Sequence, residues 1–302
     1  MRLYTAEIEG KEEILVAFYD DGCAYRMSKL AVLSSELNFK DMNDLIDKLD
    51  DEKRAILKAI AKNVDSIKAA EVKLGEVKLL APIIHPRQDL ICLGINYNEH
   101  AKECARFHEE EHIIKKEATI YFSKRVNRAT APLEAIPSYE GYVDSLDYEA
   151  ELGVIIGKTT KNATLENALD HVFGYTIIND VSARNLQGKH KKWYIGKRLD
   201  GFTPMGPCIV TADGIEDIQA LNIKSYINGE LRQNSNTCYM ITNVAEAIVE
   251  LSEGITLNPG TVIATGTPGG VGMGFKPPKW LKKGDEVICE IEGIGQLKNF
   301  IG

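Results

Sequence analysis

The chain has 302 residues, of which 44% are hydrophobic and 26% charged, and its 36 Lys and Arg against 44 Asp and Glu give a net charge of −8. This composition is typical of a folded globular protein, and a chain of this length buries roughly 75% of the surface that its unfolded form exposes. The basic residues are scattered along an acidic chain and form no stripe that could follow phosphates, so nucleic acid is not an expected partner.

The sequence also argues against a membrane or secreted protein. It has no apolar run of the roughly 20 residues that a membrane-spanning helix requires, and its opening segment, MRLYTAEIEGKEE, lacks the apolar run of a secretion signal. The six cysteines form no C-x-x-C pair, which indicates reduced and mostly buried thiols. We therefore predict a cytoplasmic protein without disulfides.

The N-terminal part of the chain predicts strands followed by helices. Short alternating apolar runs separated by turn residues predict strands joined by hairpins: LYTAEI, ILVAFY and CAYRM. Apolar side chains then recur at helical spacing over residues 41–49 and 52–63, which predicts two amphipathic helices. We assign residues 1–78 to a small N-terminal α+β domain and residues 79–302 to a larger second domain.

The second domain is dominated by apolar runs rich in β-branched residues. Strands are predicted at LICLGINY, TIYFSK, AELGVIIGK, VFGYTIIND, PCIVTADG, LNIKSYING, TVIATG and DEVICEIEGIGQLKN. Helical windows interrupt them over residues 99 to about 116 and 243–253. These connections are too irregular for alternating βαβ units, so we expect a mixed or mostly antiparallel sheet in an α+β fold.

Three patterns in this domain suggest chemistry but have simpler interpretations. His108-Glu-Glu-Glu-His112 fits the zinc-binding pattern H-E-x-x-H, although its charged surroundings are unlike a buried zinc helix. The glycine loop, residues 266–272, has neither the helix of a dinucleotide fingerprint nor the Gly-Lys-Ser/Thr of a P-loop. It is either a tight turn or a set of backbone amides that can approach an anion. Cys104 lies near a candidate catalytic histidine, but spacing alone does not show an activated thiol.

Three carboxylates carry the main inference. Glu149 and Glu151 alternate along a predicted strand, so both side chains point to one face. That face is either solvated or occupied by a cation, because two neighbouring anions repel. Asp180 ends the apolar run VFGYTIIN, where a desolvated charge needs a partner. If the two strands are neighbours, the three carboxylates supply hard oxygen ligands suited to Mg²⁺ or Mn²⁺.

Polar residues around these carboxylates predict a substrate site. Arg184 and Lys197 follow Asp180 and could clamp a carboxylate, while Gln187 could donate to an oxyanion. His100 and Glu103 stand three residues apart on a predicted helix, where Glu103 can hold the imidazole in one tautomer. We expect this pair, hereafter the dyad, to activate water.

The motifs together resemble the successive signatures of the fumarylacetoacetate hydrolase family, in order over about residues 82–302: GINYNEHAKE, LDYEAELGVIIGK, GYTIINDVSARNLQ, KRLDGFTPMGP and ATGTPGGVG. The resemblance implies a mixed β-sandwich roll as the catalytic domain, a small N-terminal α+β domain and a homodimer. It implies Mg²⁺ or Mn²⁺ on Glu149, Glu151 and Asp180. It also implies a lid around residues 98–118, the catalytic residues His100, Glu103 and Lys197, and the substrate-binding residues Arg184, Gln187 and Thr267.

The resemblance also implies an activity on a small 2-oxo acid. We expect a divalent-metal-dependent hydrolase that cleaves a C–C bond in a diketo acid such as an acylpyruvate. The same enolate chemistry would serve an oxaloacetate decarboxylase or a 2-hydroxyhepta-2,4-diene-1,7-dioate isomerase. A non-catalytic dicarboxylate binder and a zinc peptidase using His108 and His112 are the remaining alternatives.

Overall fold

The computed structural model describes residues 1–63, 67–108, 118–190 and 193–302. The strands are, in chain order, β1 Arg2–Ile8, β2 Lys11–Ala17, β3 Cys23–Arg26, β4 Glu71–Lys73, β5 Lys78–Leu80, β6 Leu90–Gly94, β7 Ile120–Lys124, β8 Ala135–Ile136, β9 Leu146–Asp147, β10 Ala150–Ile156, β11 Val172–Asn179, β12 Ser182–Ala183, β13 Met205–Thr211, β14 Asn222–Ile227, β15 Glu230–Asn236, β16 Val262–Ala264, β17 Glu286–Ile291 and β18 Gly295–Ile301. The α-helices are α1 Met27–Leu30, α2 Met42–Lys48, α3 Asp51–Ala61, α4 Asn98–His108, α5 Arg184–His190 and α6 Val244–Gly254.

The main sheet runs through the whole molecule. Its strand order is β4-β3-β2-β1-β13-β11-β10-β16-β6-β7, with β5 paired to β1. The neighbours are antiparallel except for β16 and β6, which makes the sheet mixed. Strand β1 pairs with β13 through the register Arg2 with Val210, so the N-terminal strands continue the sheet of the second domain. The domain boundary at residues 78 and 79 stays a prediction.

A second sheet packs on one face of the main sheet. Its order is β15-β14-β17-β18-β8, and Ile223 and Val287 of this sheet share a hydrophobic cluster with Val154 and Tyr175 of the main sheet. Ile155, the next residue along β10, belongs to a different cluster on the opposite face. This alternation follows from the two-residue period of a strand, and burial of both faces explains the uninterrupted apolar run. The predicted α+β class and the β-sandwich roll are confirmed.

Helices α2 and α3 cover the other face of the main sheet. Leu45, Ile46 and Leu57 lie in the cluster that contains Ile155. Asp41 and Asp50 each accept a backbone N–H hydrogen bond at the start of a helix, which satisfies amides that no preceding turn can bind. The helices predicted over 41–49 and 52–63 are therefore confirmed to within a few residues. None of the described helices has the length and apolar character needed to cross a bilayer.

The sequence patterns leave several of the described elements unpredicted, and two of these contribute residues to the site described below. One is helix α5, and the other is strand β15, whose sequence ELRQNSN has a single apolar residue. Strand β15 is an edge strand of the second sheet, so it lacks the apolar alternation of a strand buried between neighbours. The sequence feature that indicates this strand is the Asn228-Gly229 dipeptide, which is typical of a hairpin turn. In the structure both residues have the positive φ that such a tight turn requires.

Candidate functional site

Two neighbouring strands bring the three acidic residues together. Strands β10 and β11 are antiparallel with Ala150 opposite Asn179, so the start of β10 lies beside the end of β11. The backbone N–H of Asp180 donates to the carbonyl of Glu149 over 2.9 Å. One carboxylate oxygen from each of Glu149, Glu151 and Asp180 lies within 4.8 Å of the others, and all three side chains are buried. The solvated-face alternative is therefore wrong for this strand.

Two lysines balance part of this negative charge. Lys197 Nζ bridges two of the carboxylates, because it lies 2.6 Å from Glu149 Oε2 and 2.7 Å from Asp180 Oδ2. Lys124 Nζ lies 2.7 Å from the other oxygen of Asp180, and the Lys124 side chain is fully buried on strand β7. Lys124 is not among the residues predicted from the sequence, although a lysine that ends an apolar run such as TIYFSK is a signal of a buried partner charge.

The positive charge is unevenly shared among the carboxylates. Burial raises the pKa of Glu149, but Lys197 and Arg184 outweigh it and hold that pKa below its usual range. Glu151 has no basic side chain within ion-pair distance among the described residues, and accepts one hydrogen bond, from Gly266 N over 3.0 Å. Burial, Asp180 and Glu149 raise the pKa of Glu151 well above its usual range. A buried three-oxygen donor set short of positive charge fits a hard dication.

Arg184 connects these carboxylates to Asp147 and Gln187. Its Nε donates to Asp147 over 2.9 Å, and its Nη1 donates to Gln187 Oε1 over 3.1 Å. Its Nη2 lies 2.6 Å from Glu149 Oε1, but no hydrogen bond satisfies that buried nitrogen. Asp147 also accepts the N–H of Gly272 over 2.6 Å. Asp147 and Gln187 therefore fix the guanidinium on one edge, and Glu149 pairs with it on the other.

The dyad lies on helix α4 as its spacing predicts. His100 Nδ1 is 3.5 Å from Glu103 Oε2, and His100 Nε2 is 3.5 Å from Cys104 Sγ. Glu103 Oε1 accepts the backbone N–H of Gly270 over 2.8 Å, which anchors the carboxylate to the glycine loop. Burial lowers the pKa of His100, but the charges and hydrogen bonds of Cys104 and Glu103, with Glu149 beyond them, raise it to about 10.

Thr267 is held by a glutamine that the sequence analysis did not identify. Its hydroxyl donates to Ala150 O over 2.9 Å and accepts from Gln233 Nε2 over 2.7 Å. Gln233 also donates to Pro268 O over 2.9 Å and accepts from Ala150 N over 3.1 Å. The fully buried Gln233 therefore ties the strand between the two glutamates to the glycine loop.

These residues surround one cavity of about 430 Å³. Seven of the nine predicted site residues line it, in chain order His100, Glu149, Glu151, Arg184, Gln187, Lys197 and Thr267. The remaining two, Glu103 and Asp180, lie behind this lining in contact with His100 and Lys197. Aromatic and sulfur-containing side chains form much of the remaining wall: Cys104, Phe107, Phe122, Trp193 and Met273. An acidic floor beside cations and an apolar wall suits a small organic acid.

The chain matches the family described as fumarylacetoacetate (FAA) hydrolase C-terminal over residues 89–301. It belongs to the fumarylacetoacetate hydrolase family. The resemblance drawn from the sequence is therefore confirmed, and members of this family are enzymes that act on small-molecule acids. The chain is 44% identical over 238 residues to the oxaloacetate tautomerase YisK of Bacillus subtilis, covering 79% of this chain and 77% of that protein.

Two solved structures share the architecture over the full chain. The fumarylacetoacetate hydrolase of Exiguobacterium antarcticum has a TM-score of 0.79 and 36% identity, covering 100% of this chain and 99% of that one. The maleylpyruvate hydrolase of Sphingobium sp. SYK-6, solved with manganese(II) and pyruvate, has a TM-score of 0.74 and 25% identity, covering 100% and 98%.

The zinc pattern is not resolved by this geometry. His112 and the side chain of His108 lie outside the described residues, so the zinc-peptidase alternative is not tested by position. Within the described ranges, the group of acidic, histidine or cysteine side chains spaced to hold a metal is Glu149, Glu151 and Asp180.

Proposed function

We propose that this protein is a divalent-metal-dependent enzyme that interconverts the keto and enol forms of a 2-oxo dicarboxylic acid such as oxaloacetate. The observation that carries the proposal is the convergence of three buried carboxylates within 4.8 Å at the floor of a cavity that Arg184 and His100 also line. The 44% identity to an oxaloacetate tautomerase over most of the chain supports this reaction among those of the family.

Glu149, Glu151 and Asp180 would hold the ion, and Mg²⁺ or Mn²⁺ suits their oxygen ligands. When bound, the dication supplies the positive charge that stabilises an enolate oxygen. Lys124 and Lys197 each pair with one oxygen of Asp180, so both ammonium groups balance the charge of a residue that would hold the ion. Manganese in the related maleylpyruvate hydrolase supports an ion of this class.

The chain's own residues bind and orient the acid. Arg184 lines the cavity, and its Nη2, which lies 2.6 Å from Glu149 Oε1, would donate to the substrate carboxylate. Gln187 accepts from Arg184 and holds the guanidinium plane in position. Lys197 lines the cavity between Glu149 and Asp180, from which its ammonium reaches a second substrate oxygen. Thr267, fixed by its own hydrogen bonds, places a hydroxyl at the edge of the same cavity.

The dyad moves the proton. Loss of the proton from C3 of the keto acid gives the enolate, and protonation of the enolate oxygen gives the enol. In the reverse direction the enol loses its hydroxyl proton and the enolate is protonated at C3. His100 is the residue on the cavity wall that carries this proton, and Glu103 holds the imidazole by its Nδ1. Burial of His100 and the apolar wall keep bulk water away from the enolate.

Cleavage of a C–C bond in an acylpyruvate is the second candidate function. The dyad favours it, because the same imidazole could activate a water to attack a distal carbonyl. The enolate then leaves as pyruvate enolate, so binding of the 2-oxo acid end is common to both reactions. Names of the two solved hydrolases support this candidate.

Turnover measurements with purified protein distinguish the candidates. Enol-oxaloacetate is followed by its ultraviolet absorbance, with pyruvate formation measured in parallel to detect decarboxylation, and acylpyruvates are assayed for C–C cleavage. We expect ketonisation that chelation with EDTA abolishes and Mn²⁺ or Mg²⁺ restores. Glu149→Gln should abolish it, whereas Glu76→Gln, at a side chain 70% exposed, should not change it.

Three outcomes would contradict the proposal. Activity that survives chelation would show that the reaction needs no metal. Cleavage of acylpyruvates without ketonisation of oxaloacetate would show that the protein is a hydrolase and not a tautomerase. Tight binding of oxaloacetate without turnover of any substrate would leave a dicarboxylate binder. The homodimer implied by the family resemblance stays a prediction, which light scattering on the same preparation measures.

A further inference from the structure

On helix α4, the imidazole of His100 lies between the thiol of Cys104 and the carboxylate of Glu103. Cys104 Sγ lies 3.5 Å from His100 Nε2, and Glu103 Oε2 lies 3.5 Å from His100 Nδ1. Glu103 and Cys104 follow His100 by three and four positions, so all three side chains lie on one face of the helix. Both ring nitrogens of His100 are thus engaged, one by a nucleophilic atom and the other by an orienting carboxylate. This is the geometry of an activated nucleophile.

A cationic side chain lines the same cavity as Cys104. Arg184 lines the same cavity, and its guanidinium interacts electrostatically with the charge of a Cys104 thiolate. Reactive cysteines occupy electropositive, partly accessible positions of this kind. Cys104 is half-buried and lines the cavity, so a small molecule that enters the active site meets the sulfur.

The other cysteines provide a contrast within the same chain. Burial raises the pKa of the Cys92 and Cys289 thiols and raises that of Cys208 to about 11, so these thiols are inert. Cys238 is exposed, and across the described part of the chain no histidine lies within hydrogen-bond distance of its sulfur. Cys238 is therefore the control for solvent access without activation.

We propose that Cys104 is an activated thiol whose oxidation by hydrogen peroxide switches the active site off. The thiol proton passes to His100, and the thiolate attacks one peroxide oxygen. An S–O bond forms and the O–O bond breaks, so the sulfur is oxidised to a sulfenic acid. The second peroxide oxygen is reduced and leaves as hydroxide, which takes the proton from His100 to give water.

The modified side chain would block the dyad. A sulfenic acid at Cys104 places an added oxygen on the side of His100 Nε2, where the ring would otherwise exchange a proton with substrate. This loss of activity rests on the proposed function of His100, whereas the reactivity of the thiol does not. A disulfide reductant such as dithiothreitol returns the sulfenic acid to the thiol, so the switch is reversible.

Alkylation rates test the activated thiol without any enzyme assay. The full chain is treated briefly with limiting iodoacetamide, and labelling at each cysteine is followed by peptide mass spectrometry. We expect Cys104 to react at least about tenfold faster than Cys238. His100→Gln should reduce the Cys104 rate to that of Cys238 while leaving the Cys238 rate unchanged, which also reports that the variant is folded. Equal rates at the two cysteines in the unsubstituted chain would overturn the proposal.

Peroxide treatment tests the switch. The Mg²⁺-loaded protein is exposed to hydrogen peroxide, the sulfenic acid is trapped with dimedone and located by mass spectrometry, and the remaining rate is compared with the untreated rate. We expect dimedone on Cys104 and a loss of rate that dithiothreitol reverses. Cys104→Ala should keep its own untreated rate after the same exposure, and an equal loss in this variant would refute the switch. If no 2-oxo acid is turned over, the dimedone adduct still tests the modification separately from the proposed function.

Discussion

Replacing Lys197 by Met tests whether its ammonium occupies the place of a cation at the acidic site. Lys197 Nζ lies 2.6 Å from Glu149 and 2.7 Å from Asp180, and all three side chains are buried. A dication held by the same two carboxylates must displace the ammonium from at least one of them. The substitution should therefore weaken the metal-free fold and strengthen the response to metal, because the competing charge is gone.

The size of the effect follows from the burial of the pair. Removing one partner of a buried ion pair costs about 3–5 kcal/mol. An unfolding entropy of about 2.1 cal/mol/K per residue gives roughly 0.6 kcal/mol/K for a chain of 302 residues. The metal-free variant should therefore melt about 5–8 °C below the unsubstituted chain. If the bound ion fully replaces the ammonium, the metal-bound variant regains the stability that the metal-free variant lost. The variant should then bind the metal more tightly by the same free energy, which lowers Kd on the order of a hundredfold or more.

Thermal unfolding with and without saturating Mn²⁺, combined with calorimetric titration of the metal, measures both quantities. We expect a larger metal-induced rise in Tm for Lys197→Met than for the unsubstituted chain, and a lower Kd for Mn²⁺. Lys73→Met, at a side chain 68% exposed, is the matched control and should change neither. A variant that binds metal more weakly than the unsubstituted chain would refute the exchange, because it would show that Lys197 supports the metal site instead of competing with the ion.

Three further substitutions test other parts of the site. Glu151→Gln should raise the Tm of the metal-free protein above pH 4.5 and abolish the rise in Tm that metal causes. The pKa of Glu151 is raised in the folded state, so this carboxyl destabilises the folded protein as pH rises from the usual value of 4.5. Parallel profiles of Tm against pH for the variant and the unsubstituted chain would contradict this. Gln233→Leu removes buried hydrogen bonds and should lower the free energy of unfolding, measured with denaturant, by about 2–4 kcal/mol. Gln296→Leu, at an exposed side chain, is the control and should lower it by less than about 0.5 kcal/mol. Gly274→Ala places a Cβ 2.5 Å from the carboxyl carbon of the dyad and should lower kcat about 100-fold with Kd for Mn²⁺ unchanged; Gly254→Ala, with nothing within 4 Å, should leave kcat unaltered.

The sequence predicts the acidic site well because short-range rules determine it. The two-residue period of a strand places Glu149 and Glu151 on one face, and a carboxylate ending an apolar run demands a partner. The one missing step was the pairing of β10 with β11, which the antiparallel register of Ala150 with Asn179 supplies. The dyad follows in the same way from helical spacing alone.

The supporting residues could not be predicted because tertiary contacts give them their roles. Lys124 is separated from Asp180 by 56 positions, and Gln233 from Ala150 by 83. Neither local period nor composition records such pairings. Gln233 in particular lies on an edge strand with a polar sequence, so the pattern that identifies buried strands gives no signal there. Recognition of the Asn228-Gly229 hairpin would have placed the strand but not its hydrogen bonds.

The backbone amides of the glycine loop position side chains of the site. Its amides bind three carboxylates of this chain: Gly266 N donates to Glu151, Gly270 N to Glu103 and Gly272 N to Asp147. One carboxylate belongs to the acidic site, one to the dyad and one anchors the guanidinium. A Cβ at Gly270 would lie 2.1 Å from a backbone oxygen, and its φ of +102° also favours glycine. A change in this loop should therefore disturb metal binding, proton transfer and substrate binding together, whereas a change in the aromatic wall should alter substrate binding alone.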